Sequence, residues 1–125
     1  MPDTLTNRAP FTSDMNVCGT ADSEFTEVVE GVHIAPLVGG ERMNVQHFHI
    51  EPGAVVPEHS HANEQVGHVT RGAFTFRVGD EEFVVGSGES YVIPAGEPHE
   101  AVNRSDEPVS GIDVFSPPRE APDWQ

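Results

Sequence analysis

Apolar and polar positions alternate with a period of two through much of this chain, always in short runs. The stretch Phe74-Thr75-Phe76-Arg77-Val78 is the clearest example. In an extended chain, side chains two apart share a face, so this alternation predicts half-buried strands. Further apolar runs cover residues 28–29, 32–38, 43–50, 54–56, 65–70, 82–85, 90–93 and 109–115. Glycine, proline and acidic clusters separate them, as at Gly39-Gly40 and Glu51-Pro52-Gly53. Gly79-Asp80 between two runs is a hairpin-turn signal. No stretch of ten or more residues carries helical periodicity with caps. Many short strands bounded by turns predict an all-β sandwich or barrel. Residues 1–20 are polar and punctuated by Pro2, Pro10 and Gly19, so they read as an extended arm. Residues 21–125 then form a single barrel domain with a short C-terminal tail. Ser116-Pro117-Pro118-Arg119 cannot continue a central strand, because proline has no N–H to donate.

Composition narrows the function classes. The 125 residues suit one domain with one core. No stretch approaches the ~20 apolar residues of a membrane span, and the first residues lack the apolar core of a signal peptide. The expected compartment is the cytoplasm, with no membrane partner. Cys18 is the only cysteine, which excludes an intrachain disulfide and a cysteine-based metal site. The charge balance is lopsided: 21 acidic against 6 basic residues, a formal net charge of −15. The basic residues are all arginine (Arg8, Arg42, Arg71, Arg77, Arg104 and Arg119). Such a surface repels phosphates, so nucleic acid is not an expected partner. The acidity fits a solvated surface adapted to high salt, where self-repulsion is screened, and hence a salt-loving source organism. An ordinary acidic protein is the plainer alternative.

The candidate chemistry lies in the histidines. His59-Ser60-His61 follows the run at residues 54–56, and two imidazoles at this spacing share a strand face. Gln65 has the same parity while Glu64 has the opposite one, provided that Ala62-Asn63 does not turn the chain. His99 follows Pro94-Ala95-Gly96-Glu97-Pro98, a segment that fixes a turn and a strand start. Three imidazoles and one amide carbonyl make a borderline-soft donor set suited to one divalent ion: Ni, Zn, Fe(II), Mn or Co. Taken alone, the His59/His61 pair would read as packed or surface histidines.

The larger spacing changes that reading. Gly53, five residues, His59, one residue, His61, three residues, Gln65, six residues, Gly72 resembles the first motif of the cupins. Gly88, five residues, Pro94, one residue, Gly96, two residues, His99, three residues, Asn103 resembles the second. The resemblance covers about residues 40–115. It implies a conical β-barrel, a double-stranded β-helix or jelly roll, with a metal inside and an open mouth for a small molecule. It also implies His59, His61, Gln65 and His99 as metal ligands. Most cupins carry glutamate where this chain has Gln65. An amide cancels no metal charge, so the ion keeps its full dipositive charge, which favours polarising an oxygen over activating dioxygen.

A narrower resemblance rests on three stretches: residues 59–65, residues 90–99, and the tail from Asp113 to Arg119. They are similar to the small cupins of the KdgF type. Those enzymes linearise and ketonise 4,5-unsaturated uronate monomers released during pectin or alginate breakdown. The resemblance implies Asp113, Phe115 and Arg119 as the catalytic residues and a small anionic sugar acid as substrate. Arg119 would pair with the carboxylate in bidentate fashion and Asp113 would move a proton. Cupin barrels commonly pair, which implies a homodimer. Two rivals stay open: a metal-dependent dioxygenase or lyase acting on another small carboxylate or phenol, and a non-enzymatic small-ligand-binding cupin. Elsewhere, His47 and His49 share a face and read as packed or solvent-facing, as does His68. His33 has no supporting context, Tyr91 reads as packing, and Asn103 and Gly96 shape turns.

Melting temperature and sedimentation mass across a KCl series check two of these expectations. The melting temperature should rise with salt and the mass should be that of a dimer. A melting temperature that stays flat overturns the salt-adapted reading, and a monomeric mass at high salt overturns the dimer.

Overall fold

The computed structural model describes residues 15–119. Residues 1–14 of the expected arm and 120–125 of the expected tail lie outside them. The rest of the arm is irregular apart from one 3-10 turn at Thr20–Asp22. Among the described residues no helix is long and apolar enough to cross a membrane.

The strands are β1 (Thr26–Val29), β2 (Val32–Gly39), β3 (Asn44–Ile50), β4 (Val55–His59), β5 (Glu64–Arg71), β6 (Ala73–Val78), β7 (Glu81–Gly86), β8 (Ser90–Ile93), β9 (His99–Val102) and β10 (Val109–Ser116). Each run expected from the alternation falls on one of them. β9 was foreshadowed only as a strand start, because His99-Glu100-Ala101-Val102 is too short and mixed to show a period. One sheet has the order β1-β2-β3-β10-β5-β8 and the other β4-β9-β6-β7. All pairings are antiparallel.

Local chemistry explains the closures. Val78 pairs with Glu81 around Gly79-Asp80, and Gly79 has φ +60°. Among the described residues no non-glycine residue has a positive φ, so only the first central position is left-handed. That is the pattern of a type II′ turn, whose twist matches that of the flanking strands. β10 sits between β3 and β5 and alternates buried with half-buried along its whole length. Its inward set is Val109, Gly111, Asp113 and Phe115.

The core between the sheets gathers Val32, Phe48, Ile50, Val69, Phe74, Phe76, Val85, Ile93, Ala101 and Val109. Burying each of the larger ones contributes roughly 1.5–3 kcal/mol. One fully buried side chain here is polar. The Asn103 Nδ2 donates to the Ile50 carbonyl (3.1 Å) and to the Glu107 carbonyl (2.7 Å). Its Oδ1 accepts from the Ser105 N–H (3.0 Å) and the Ser105 hydroxyl (2.7 Å). Asn103 therefore locks the β9–β10 connection to the end of β3, the turn-shaping role expected of it.

Replacing Asn103 by leucine strips these groups of their partners while keeping the volume. The expected loss is about 1–3 kcal/mol of stability, read as a lower urea midpoint. An unchanged midpoint would show that the backbone groups find other partners.

Candidate metal centre

Two sheets and one loop bring the site together. His59 ends β4 and His99 begins β9, and the two are direct cross-strand partners. Gln65 comes from β5 in the other sheet. β4 stops at His59, so His61 lies in the loop over residues 60–63 rather than on a continuing strand. The inward position of Gln65 therefore follows from the alternation of β5 itself. Gln65, Gly67 and Val69 are buried, and Glu64 is exposed, as its parity predicts.

Each imidazole is held by a backbone carbonyl. Nδ1 of His59 lies 2.8 Å from the Pro57 carbonyl, Nδ1 of His61 3.0 Å from that of Asn63, and Nδ1 of His99 2.8 Å from that of Glu97. A carbonyl only accepts, so every Nδ1 donates. In the neutral rings Nε2 then carries a lone pair. One ligand atom from each of the three histidines lies within 4.8 Å of those from the others. Burial pushes the His59 imidazole down to about 4 and also lowers His99, against the help of their carbonyl bonds. Both rings are neutral at pH 7 and ready to ligate.

The fourth residue fits the same role. Gln65 Oε1 stands 3.1 Å from His61 Nε2. Both are acceptors once His61 donates through Nδ1, and a cation between them is what reconciles two facing lone pairs. The other end of the amide faces Asp113 and Tyr91, where its N–H groups favour their charged forms. That contact fixes the amide with its carbonyl toward the histidines. The donor set therefore fits one divalent ion with borderline-soft ligands. Outer hydrogen bonds orient each of these four side chains, as they do around bound metals.

Asp113 is buried and accepts a 2.5 Å hydrogen bond from the Tyr91 hydroxyl. Burial raises its carboxyl to about 6, while the bonds from Tyr91 and Gln65 and the charge of Arg119 pull the other way. Burial and the neighbouring Asp113 carboxylate raise Tyr91 far above its usual range. The two side chains meet across Gly67, which pairs with Asp113 on one side and Tyr91 on the other. A Cβ on Gly67 would collide with the Tyr91 ring and hydroxyl and would come within 2.5 Å of Asp113 Oδ1.

Phe115 and Arg119 complete the wall. Phe115 is buried, meets the His61 ring edge-on at 5.6 Å, and lies 5.4 Å beneath the Arg119 guanidinium carbon. Arg119 is buried as well. Asn44 clamps its backbone, accepting from the Arg119 N–H at 2.7 Å and donating to its carbonyl at 3.1 Å. Asn63 donates to the Pro117 carbonyl at 2.5 Å. The cavity touches His59, Gln65, His99, Asp113, Phe115 and Arg119, and its floor is apolar, with Phe48, Ile50, Phe74 and Phe76.

A family model described as a cupin domain matches residues 46–115. The chain belongs to the cupin family. Its structure is similar to that of KdgF from Halomonas sp., with a TM-score of 0.77 and 24% identity over 85% of this chain and 96% of that one. An RmlC-like cupin from Shewanella frigidimarina gives a TM-score of 0.76 at 25% identity, covering 85% and 94%. The polyketide cyclase RemF from Streptomyces resistomycificus gives 0.74 at 24%, covering 82% and 79%. At this identity the likeness to KdgF and to RemF is one of fold.

The cupin barrel thus brings six of the seven residues singled out in the sequence to one cavity, and the seventh, His61, packs beside them against Gln65 and Phe115. It adds Tyr91, Gly67, Asn44 and Asn63, whose roles depend on cross-strand neighbours that no local pattern announces. His47, His49 and His68 are excluded from the cavity. They lie on the outward face of the six-stranded sheet, where His68 Nδ1 meets the Ser90 hydroxyl at 2.8 Å.

Metal content checks the four-ligand assignment. Gln65→Ala should bind less metal when metal is limiting, and an unchanged content removes Gln65 from the set. Gly67→Ala, which parts Tyr91 from Asp113, should weaken metal affinity by about tenfold through loss of the outer hydrogen bonds.

Proposed function

We propose that this cupin is a metal-dependent, non-redox enzyme that linearises and ketonises 4,5-unsaturated uronate monomers from pectin or alginate breakdown. The observation that carries the reading is the placement of Asp113, hydrogen-bonded to Tyr91, and of Arg119 on the same cavity as His59, His99 and Gln65, with His61 beside Gln65. The similarity to KdgF supports it.

The reaction is an isomerisation. The anomeric hydroxyl loses a proton, the bond between C1 and the ring oxygen breaks to leave an aldehyde and an enolate, and the enolate takes a proton at C4 to become the 5-ketone. A bound divalent ion supplies Lewis-acid polarisation of substrate oxygens. Arg119, fixed over Phe115 and clamped through Asn44, orients the substrate carboxylate. The Asp113 carboxylate takes and returns the proton, with the Tyr91 hydroxyl holding its Oδ1 in place. In a chain of net charge −15, the guanidinium and the ion are the local attraction for an anionic sugar.

The homodimer belongs to the same proposal. A cross-strand row of valines, Val45–Val114–Val66–Val92, crosses the outer sheet face, with Val66 46% and Val92 60% exposed. The aromatic floor of the cavity favours one second reading, a phenol or similar carboxylate handled by a dioxygenase or lyase. Oxygen consumption with candidate substrates separates it from the first.

The direct assay follows the ultraviolet absorbance of an unsaturated uronate. Its loss should outpace the spontaneous rate, stop with chelator, and slow about 10²–10⁴-fold in Asp113→Asn, with metal content measured in parallel. No acceleration across several unsaturated uronates overturns the proposal.

A further inference from the structure

The inward face of β3 carries a buried amide, Gln46, that hydrogen-bonds to no other described residue. Gln46, Phe48 and Ile50 alternate inward along the strand, and Gln46 is only 7% exposed. It lines the same cavity as Gln65, Asp113 and Arg119. Asp113 is its direct partner on β10, and the row continues through Gly67 to Tyr91. The adjacent row, Asn44–Phe115–Gln65, holds the metal amide and the Arg119 clamp. On the other side lies the apolar row Phe48–Gly111–Val69. There the Phe48 ring fills the space over Gly111, where a Cβ would come within 2.6 Å of its Cζ. Gln46 is therefore the last polar position on β3 between the metal row and the aromatic floor.

The other polar groups on this wall are engaged. Gln65 faces His61, Asp113 accepts from Tyr91, and His59 and His99 bond to main-chain carbonyls. Gln46 stands beside Asp113 without bonding to it. Its amide is not sealed off either, unlike Nδ1 of His47, so both of its polar atoms reach the cavity. Burying an amide without a partner is unfavourable, and buried polar groups are normally paired. The missing partner is then a group that enters the cavity. Neighbouring rows of one strand face lie about 6.7 Å apart, the scale of one pyranose ring. A sugar acid anchored in the metal row thus brings its far side to Gln46.

The chemistry of the amide says which group that is. It offers N–H donors and a carbonyl acceptor on one plane. A hydroxyl also donates and accepts, and two vicinal hydroxyls can use both ends of the amide at once. A carboxylate only accepts and is drawn to Arg119 instead. A deoxygenated or simple aromatic ring would leave the amide buried and unpaired.

We propose that Gln46 binds a ring hydroxyl of the sugar acid beside Asp113 and sets the preference of the cavity for polyhydroxylated acids over deoxygenated or aromatic ones. The proposal rests on the uronate reading of the site and adds a selecting contact to it.

Calorimetric titration of the metal-loaded protein with two probes tests this. One is D-galacturonate. The other is tetrahydropyran-2-carboxylate, which keeps the ring oxygen and carboxylate but has no hydroxyl. The unaltered protein should prefer D-galacturonate. Gln46→Met, which keeps the length of the side chain without the amide, should weaken D-galacturonate by about tenfold and leave the second probe unchanged. Its urea midpoint should not fall, since no internal bond is lost. Gln46→Leu repeats the measurement should Gln46→Met not fold. An unaltered protein without the preference overturns the proposal. So does a variant that retains it, or one with a lower midpoint in which both probes weaken equally, the mark of a structural role. Binding needs no turnover, so the two readings separate. A preference that collapses in Gln46→Met upholds the hydroxyl contact even if no unsaturated uronate is turned over. Turnover with an unmoved preference overturns the contact and leaves the reaction standing.

Discussion

An imidazole has two nitrogens, and the inner site depends on what occupies the first. In His59, His61 and His99 the Nδ1 is held by a main-chain carbonyl two positions away in sequence. The bond is local, so it forms with the strand end or loop that carries the histidine. It selects one tautomer and one ring orientation before anything enters the barrel. With three rings set this way, their Nε2 atoms have no choice but to face one another. The barrel then needs only to bring β4, β9 and the loop before β5 to the same depth, which the His59–His99 register does directly.

Gln65 extends the same logic to the second sheet. Its amide is two-faced, with a carbonyl for the histidine side and N–H groups for Asp113 and Tyr91. A carboxylate at this position would have no proton to offer Asp113, and two buried acidic groups would then compete for one neutral environment. The amide therefore belongs with Asp113. The buried negative charge of this wall is thereby set one residue beyond Gln65, on a carboxylate that the Tyr91 hydroxyl also holds. Gly67 is the steric condition for this arrangement, since only a residue without Cβ lets the two side chains meet over the β5 backbone.

Much of this was legible in the sequence. Period-two runs located the strands, and the two glycine-bounded histidine motifs pointed to the family that the domain match shows. The parity of β5 put Gln65 inward and Glu64 outward. What escaped reading was everything carried across strands. Tyr91 looked like packing because its partner lies on β10, two strands away in the sheet. His33 had no context because its context is His49 and Glu51, which only the β2–β3 register supplies. Arg119 was implied by its tail motif alone; the hydrogen bonds by which Asn44 and Asn63 draw that tail back onto the barrel have no trace in local sequence. Local periodicity reports which face a residue takes. It says nothing about who stands opposite.

The position of β10 bears on how such a chain is made. It is the final strand of the described chain, yet it lies in the middle of its sheet, bridging β3 and β5. During synthesis those two strands leave the ribosome with a gap between them and wait for a partner some forty residues downstream of β5. Until it arrives, their inner edges expose unpaired main-chain groups, and such long-range pairing is slow. Asp113, Phe115 and Arg119 come with that strand and its tail. A nascent or prematurely stopped chain therefore already carries His59, His61 and His99 but not the side chains of β10 and its tail that close the cavity around them, so an ion could meet its imidazoles before the cavity exists.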